Sequence, residues 1–274
     1  MTVEPRRQYW DGDFVISRAA GALHNPQLLT APHDDSALDL TVFVSCYNEA
    51  PYIIGTLDAV RSAAAEAGLL YEIIVIDDGS RDDSPRIVAD YIAANPDARI
   101  VLRVNRANKG LAQNYLDAAF LGRGKYYRLI CGDNAEPRDS IVTVFSAIGK
   151  ADIIIPYYAT AEGKNLRRRM ISKGYTGLIN LITGNRLKYY NGLAVHLRHN
   201  IMRWHPNTHG FGFQADILCL LIDLGFTYQE VEIITIEQRR GGSNALTFRN
   251  LVSVAHTLIE IGNRRLSNRL YRRR

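Results

Sequence analysis

The sequence predicts an α/β protein with a mostly parallel central sheet flanked by helices. From Thr41 onward, short β-branched apolar runs alternate with segments of helical periodicity. The first four runs each end in a polar cluster: Asn48-Glu49, Asp77-Asp78, Asn108-Lys109 and Asp133-Asn134. At 274 residues the chain can bury the core that such a sheet needs. In sheets of this kind ligands bind at the carboxyl ends of the strands, where these clusters fall.

Taken in order, residues 1–38 read as an irregular arm, because Pro5, Pro26 and Pro32 interrupt any regular element. TVFVSCYNEA opens as a buried strand and breaks at its polar end, and Ile53 to Ala67 supplies a helix. YEIIVIDDGS is a second strand. SPRIVADYIAAN is the helix after it, with Pro85 suited to the first turn. ARIVLRVN, the turn NKG and the helix LAQNYLDAAFLG follow, and KYYRLICGDN is the fourth strand.

The later part is less regular. ADIIIPYY reads as a strand and Leu166 to Thr183 as a helix with a basic start. KYYNGLAVHLRH suggests a hairpin or two short strands turning at Asn191-Gly192. FQADILCLLIDLG is a buried helix closed by Gly225, TYQEVEIITIEQR a strand, and Leu246 to about Arg269 a terminal helix.

Composition narrows the class. With 47% hydrophobic and 22% charged residues, the chain is an ordinary globular protein. Cys46, Cys131 and Cys219 lack metal-type spacing and lie in or beside apolar runs, as reduced core thiols do. No run reaches the length of a membrane span and the N-terminus lacks a signal segment, so the expectation is a cytoplasmic protein. Net charge is +5, and residues 263–274 hold six arginines and no acid. That tail is either simply solvated or drawn to an anionic membrane. No aromatic-basic interleaving points to nucleic acid.

The chemistry is sought at the strand ends. Neither GxGxxG after the first strand nor GxxxxGK[ST] is present, so the usual phosphate cradles are missing. Adjacent Asp77 and Asp78 repel one another and require a partner: a helix N-terminus, a metal ion or the polar face of a ligand. A plain strand-end turn, with Ser80 or Asp82 capping the next helix, is the structural alternative. Their side chains should point to opposite sides of the sheet, so one can meet ligand while the other supports a loop. A diphosphate beside such acids calls for Mg²⁺ or Mn²⁺, which binds oxygens from both and stabilises a departing diphosphate.

VSCYNEA, VIDDGSRDDS, NKGLAQN and the aspartate after the fourth strand together resemble family-two glycosyltransferases of the GT-A, nucleotide-diphospho-sugar transferase fold. RRRMISKGY, HGFGFQADIL and RRGGSN look like parts of dolichol-phosphate mannose synthases and related polyprenyl-phosphate glycosyltransferases. The resemblance covers about residues 40–262 and implies a catalytic domain at 39–245, followed by an amphipathic helix and basic tail at 246–274. It implies donor binding by Tyr47, Glu49, Asp77, Asp78, Lys109 and Gly110, with Asp133 as metal ligand and catalytic group. Cys131 replaces the first aspartate of the family's metal motif, and a thiol suits hard cations poorly; Glu136 is a further candidate oxygen ligand.

On the acceptor side the resemblance points to arginines and a serine near phosphate. Arg169 and Lys173 share a helix face. Arg239 and Ser243 flank paired glycines that let the backbone close over a ligand, and Arg239 is also a catalytic candidate.

The function implied is an inverting transfer of a hexosyl group from a GDP- or UDP-linked sugar to a polyprenyl phosphate. A phosphate is already anionic and needs no general base, whereas a saccharide or other hydroxyl acceptor needs one, with Asp216 the candidate. A catalytically silent sugar-nucleotide-binding protein is a third reading that Cys131 leaves open. Leu251, Val254, Leu258, Leu266 and Leu270 are expected to dock or lie along a bilayer while the arginines meet anionic headgroups.

Overall fold

The computed structural model describes residues 14–17, 38–158, 166–204, 212–235 and 248–271. The chain forms two compact units, residues 1–134 and 135–274.

In the first unit, β1 (Phe14–Ser17) precedes β2 (Leu40–Cys46), α1 (Ile53–Glu66), β3 (Tyr71–Asp77), α2 (Ser84–Ala94), β4 (Ile100–Asn105), α3 (Leu111–Leu121) and β5 (Tyr126–Cys131). The strand order is β1-β4-β3-β2-β5. β2 pairs in parallel with β3 and β5, and β3 with β4. β2 lies between β3 and β5, and Val42, Phe43 and Val44 are wholly buried, which explains its unbroken apolar sequence. α1 buries Ile53, Leu57, Val60 and Ala64 on one stripe.

β1 corrects one expectation. The arm read as irregular supplies a strand, antiparallel to β4 from Phe14 opposite Asn105 to Ser17 opposite Leu102. The run FVIS is free of proline, and it caps the exposed backbone groups that the outer edge of β4 would otherwise present.

The second unit holds α4 (Arg138–Phe145), β6 (Ile153–Tyr158), α5 (Leu166–Thr183), β7 (Val195–Leu197), α6 (Arg198–Ile201), α7 (Phe213–Asp223), β8 (Tyr228–Ile233) and α8 (Phe248–Tyr271). β6 pairs in parallel with β8 and antiparallel with β7. No hairpin forms at Asn191-Gly192. A Cβ on Gly192 would lie 2.0 Å from the Pro156 carbonyl oxygen, so that glycine lets the chain press against β6 before Val195 pairs with Ile154. Gly225, at φ 89°, follows α7 as the sequence suggested. α8 contributes Ile261 to the core and packs on α5 and α7. Among the described residues no helix is long and apolar enough to cross a membrane.

One core residue makes the fold sensitive to acid. His196 in β7 is completely buried, and among the described residues neither ring nitrogen has a hydrogen-bond partner. Burial disfavours the imidazolium and lowers its pKa from 6.5 to about 3. The unfolded chain therefore takes up a proton below pH 6.5 that the folded chain refuses until about pH 3, so stability falls as pH drops through that window. Wild type should lose about 2 kcal/mol between pH 7 and pH 5 from this group alone. His196→Leu should flatten that part of the slope when urea unfolding is measured at both pH values.

Candidate functional site

The parallel register of the first unit aligns the ends of its strands. Cys46 lies opposite Asp77, Asp77 opposite Val104, and Ser45 opposite Cys131. The segments after β2, β3, β4 and β5 therefore leave the sheet at one edge.

Asp77 and Asp78 occupy that edge, and both are buried. Asp77 is closed within its own turn: Oδ1 accepts from the amides of Gly79 (3.1 Å) and Ser80 (2.9 Å), and Oδ2 from the Ser80 hydroxyl (2.5 Å). Asp78 turns to the next loop. Its Oδ1 accepts from Asn105 Nδ2 (2.9 Å) and the Lys109 amide (2.8 Å), and its Oδ2 from the Gly110 amide (3.0 Å). The two carboxylates thus have separate sets of donors, which offsets their mutual repulsion. Gly110, at φ 86°, stands at the N-cap of α3, a conformation open to glycine. Lys109 is exposed.

The loop after β2 is fixed just as firmly. The amide of Asn48 donates to Ser80 Oγ (2.9 Å), that of Glu49 to Ser84 Oγ (2.9 Å), and that of Ala50 to Asp82 Oδ2 (3.1 Å). Asp82 also accepts from the Ser84 amide (3.0 Å) and hydroxyl (2.6 Å), so it caps the start of α2 while bridging two loops. Partial burial pushes the Asp82 pKa up, but the hydrogen bonds from Ser84 and Ala50 outweigh it and hold the carboxyl below its usual value. Tyr47 projects from this loop, 42% exposed, and Glu49 is buried.

Asp133 follows β5 on a turn pinned at both sides. The Gly132 amide donates to Ser45 O (2.9 Å), and the Asn134 amide to Thr56 Oγ1 (3.0 Å). Gly132 leaves no room for a side chain, because a Cβ there would sit 2.6 Å from Ser45 O. Asp133 and Cys131 are half-buried. Beneath this edge, burial pushes the Cys46 thiol up to about 12, with the Asp77 charge adding to the effect.

Among the described residues, no three His, Cys, Asp or Glu side chains gather into a metal cage. One hard carboxylate on a fixed turn fits a cation that arrives with a diphosphate and keeps several waters. It does not fit one that needs an all-protein site. Glu136 is half-buried, three residues along the chain from Asp133, at the start of the second unit.

In the second unit, α5 carries Arg169 and Lys173 one turn apart. Lys173 is exposed, and the Arg169 side chain is outside the described residues. Arg239 and Ser243 lie outside them entirely.

Asp216, the candidate base for a hydroxyl acceptor, has both carboxylate oxygens engaged. It is buried in the first turn of α7; its Oδ2 accepts from Trp204 Nε1 (2.7 Å) and its Oδ1 from Arg264 Nη1 of α8 (2.6 Å). A carboxylate with both oxygens engaged by an indole and a guanidinium is a structural clamp. Two turns further along α7, Asp223 pairs with Arg265, which also donates to the Thr183 carbonyl of α5.

α8 departs from its expected apolar face as well. Leu266 and Leu270 are exposed as anticipated, but Val254 and Leu258 are half-buried against the unit. Val252 and Ile259 complete the exposed stripe, and the side chain of Leu251 is outside the described residues. Sequence reasoning did not pick out Asn105, Ser84 or Thr56. SRDDSP carried a cap signal that could have revealed Ser84.

A sequence model of glycosyl transferase family 2 matches residues 41–205. The chain is 25% identical over 255 residues to a dolichyl-phosphate beta-glucosyltransferase of Dictyostelium discoideum, covering 86% of this chain and 77% of that one. It is 24% identical over 229 residues to an undecaprenyl-phosphate 4-deoxy-4-formamido-L-arabinose transferase of Shewanella sediminis, covering 83% and 67%. In structure it is similar to glucosyl-3-phosphoglycerate synthase of Mycobacterium tuberculosis, solved with Mg²⁺ and uridine diphosphate. That match has a TM-score of 0.62 and 17% identity, and it covers 82% of this chain and 80% of that one.

Asp78→Ala should leave the amides of Lys109 and Gly110 without their acceptor. Hydrogen exchange at both, followed by NMR, should accelerate by at least about tenfold, while the amides of Gly79 and Ser80, held by Asp77, keep their protection.

Proposed function

The chain belongs to glycosyl transferase family 2, and from that membership we propose that it transfers a sugar from a nucleotide-diphosphate donor to a polyprenyl phosphate with inversion at the anomeric carbon. The observation that carries this reading is the cross-tied edge of the first unit, where Asp133, on a pinned turn after β5, and the buried pair Asp77 and Asp78, at the end of β3, leave the sheet at the same side. The relatives of Dictyostelium discoideum and Shewanella sediminis act, by name, on dolichyl and undecaprenyl phosphates, which supports the acceptor class.

In this reading Tyr47 and Glu49 face the base and ribose. Asp77 and Asp78 act mainly through the backbone, shaping the turn and the Lys109–Gly110 loop that closes on the nucleotide. Asp133 would hold Mg²⁺ or Mn²⁺, with Glu136 as a second oxygen donor; when bound, the cation would offset charge on the departing nucleoside diphosphate. Arg169 and Lys173, with Arg239 and Ser243, bind the acceptor phosphate. A phosphate oxygen forms the new bond to the anomeric carbon as the bond to the diphosphate breaks in line on the opposite side. The nucleophile is already ionised, so no proton must be removed. The commitment of Asp216 to Trp204 and Arg264 agrees with a reaction that needs no base there. Contact with an anionic membrane is peripheral and runs along the α8 stripe of Val252, Ile259, Leu266 and Leu270.

Thermal melts with uridine and guanosine diphosphates, each with and without Mn²⁺, test the donor half. The matching nucleotide at about a hundredfold its Kd should raise Tm by about 5 °C, in the presence of the metal only. Asp133→Ala should abolish that shift and cut sugar transfer by about a hundredfold or more; full transfer by this variant would refute the assignment.

Asp216→Asn separates the acceptor classes. Transfer to a polyprenyl phosphate should stay within about tenfold of wild type while thermal stability falls. A hydroxyl acceptor depending on this base would lose about 10²–10⁴-fold in kcat.

A further inference from the structure

The outward face of α5 has no partner among the described residues, although its side chains are those of a core helix. Met170 is 65% exposed, Ile171 50%, Leu178 43% and Leu181 80%. At 100° per residue these four fall within an arc of about 100°, opposite the buried Thr176, Ile179 and Thr183. Gly174 and Gly177 lie in or beside the same arc, and a Cβ on either would meet nothing within 4 Å. The stretch from Met170 to Leu181 runs about 16 Å along the helix axis. An apolar surface of this kind left open to water marks a contact site.

Charge selects the occupant. α5 contains Arg167, Arg168, Arg169 and Lys173 and no acidic residue. Lys173 is exposed on one flank of the apolar arc. A second copy of the chain would set this positive helix against its like. An anionic lipid surface instead accepts the apolar arc between its acyl chains and the basic flank at its headgroups.

We propose that α5 lies in the plane of an anionic membrane, with Met170, Ile171, Leu178 and Leu181 inserted at the headgroup boundary and Lys173 at headgroup level. The proposal rests on the polyprenyl-phosphate reading. It adds to the α8 contact a second helix, which both meets the membrane and carries Lys173 toward the acceptor phosphate at headgroup depth.

The test uses the full chain with vesicles of phosphatidylcholine, alone or containing phosphatidylglycerol. Wild type should co-sediment with the anionic vesicles. Met170→Glu/Leu181→Glu should reduce that partitioning by at least about tenfold. Met170→Ser/Leu181→Ser, which removes apolar surface without adding charge, should reduce it in the same direction. Both variants should melt within a few degrees of wild type, because the replaced side chains face water. They should retain transfer to a short-chain, water-soluble polyprenyl phosphate while losing transfer to a long-chain acceptor embedded in vesicles. Unchanged partitioning of both variants, or no binding of wild type to anionic vesicles, overturns the proposal. So does a wild-type dimer in light scattering that both variants dissociate, which would make this face an interface between copies. Failure of the underlying function would look different: wild type would bind vesicles through α5 yet transfer sugar to neither acceptor.

Discussion

Backbone amides that leave a parallel sheet at its carboxyl edge lose their ladder partners, and a loop that bends back over that edge must find other acceptors. In the first unit those acceptors are side-chain oxygens from neighbouring loops. Asp78 takes two amides of the Lys109–Gly110 turn, while Asp82, Ser80 and Ser84 take three successive amides after β2. The arrangement converts flexible connections into a rigid rim, so a ligand need not supply the ordering energy when it binds. The acids that look in sequence like a ligand-binding cluster do much of their work before any ligand arrives.

The second unit solves a different problem with related chemistry. A long terminal helix with apolar residues around much of its circumference has no unique face to bury. Asp216 and Asp223 on α7 remove that ambiguity by pairing with adjacent Arg264 and Arg265, and Trp204 locks the first carboxylate from a third direction. Because both pairs are largely withdrawn from solvent, removing one partner would strand a buried charge, at a cost of about 3–5 kcal/mol. The rotational setting of α8 is in this way electrostatic as much as hydrophobic, and it decides which apolar residues remain outside.

How far the sequence could be read follows from the range of the interactions involved. Alternation of apolar runs and helical periods is local, so β2 through β5 and their helices were legible, as was α5 from Leu166 to Thr183. The clustering of polar residues at one edge follows from parallel topology and was legible too. β1 was hidden because four residues in a proline-punctuated arm give little signal until the bare flank of β4 is in view. β7 was misjudged because the fit of Gly192 against Pro156 belongs to packing, while Asn-Gly belongs to turns. The pairing of Asp216 with Arg264 could not be read locally, because the two lie 48 residues apart. The exposed stripe of α8 could not be phased from a pattern that places apolar residues on both sides.

Those two ion pairs also alter how the chain's electrostatic balance is understood. Six arginines stand between Asn263 and Arg274, yet Arg264 and Arg265 are spent internally against Asp216 and Asp223. The far-reaching field of the C-terminal end is therefore weaker than its composition advertises, and what survives is weighted toward the last few residues. A shortened version ending before Arg264 would not simply be less basic. It would expose the lock beneath the helix, so any change in its behaviour would report on internal architecture before it reported on attraction to anything outside.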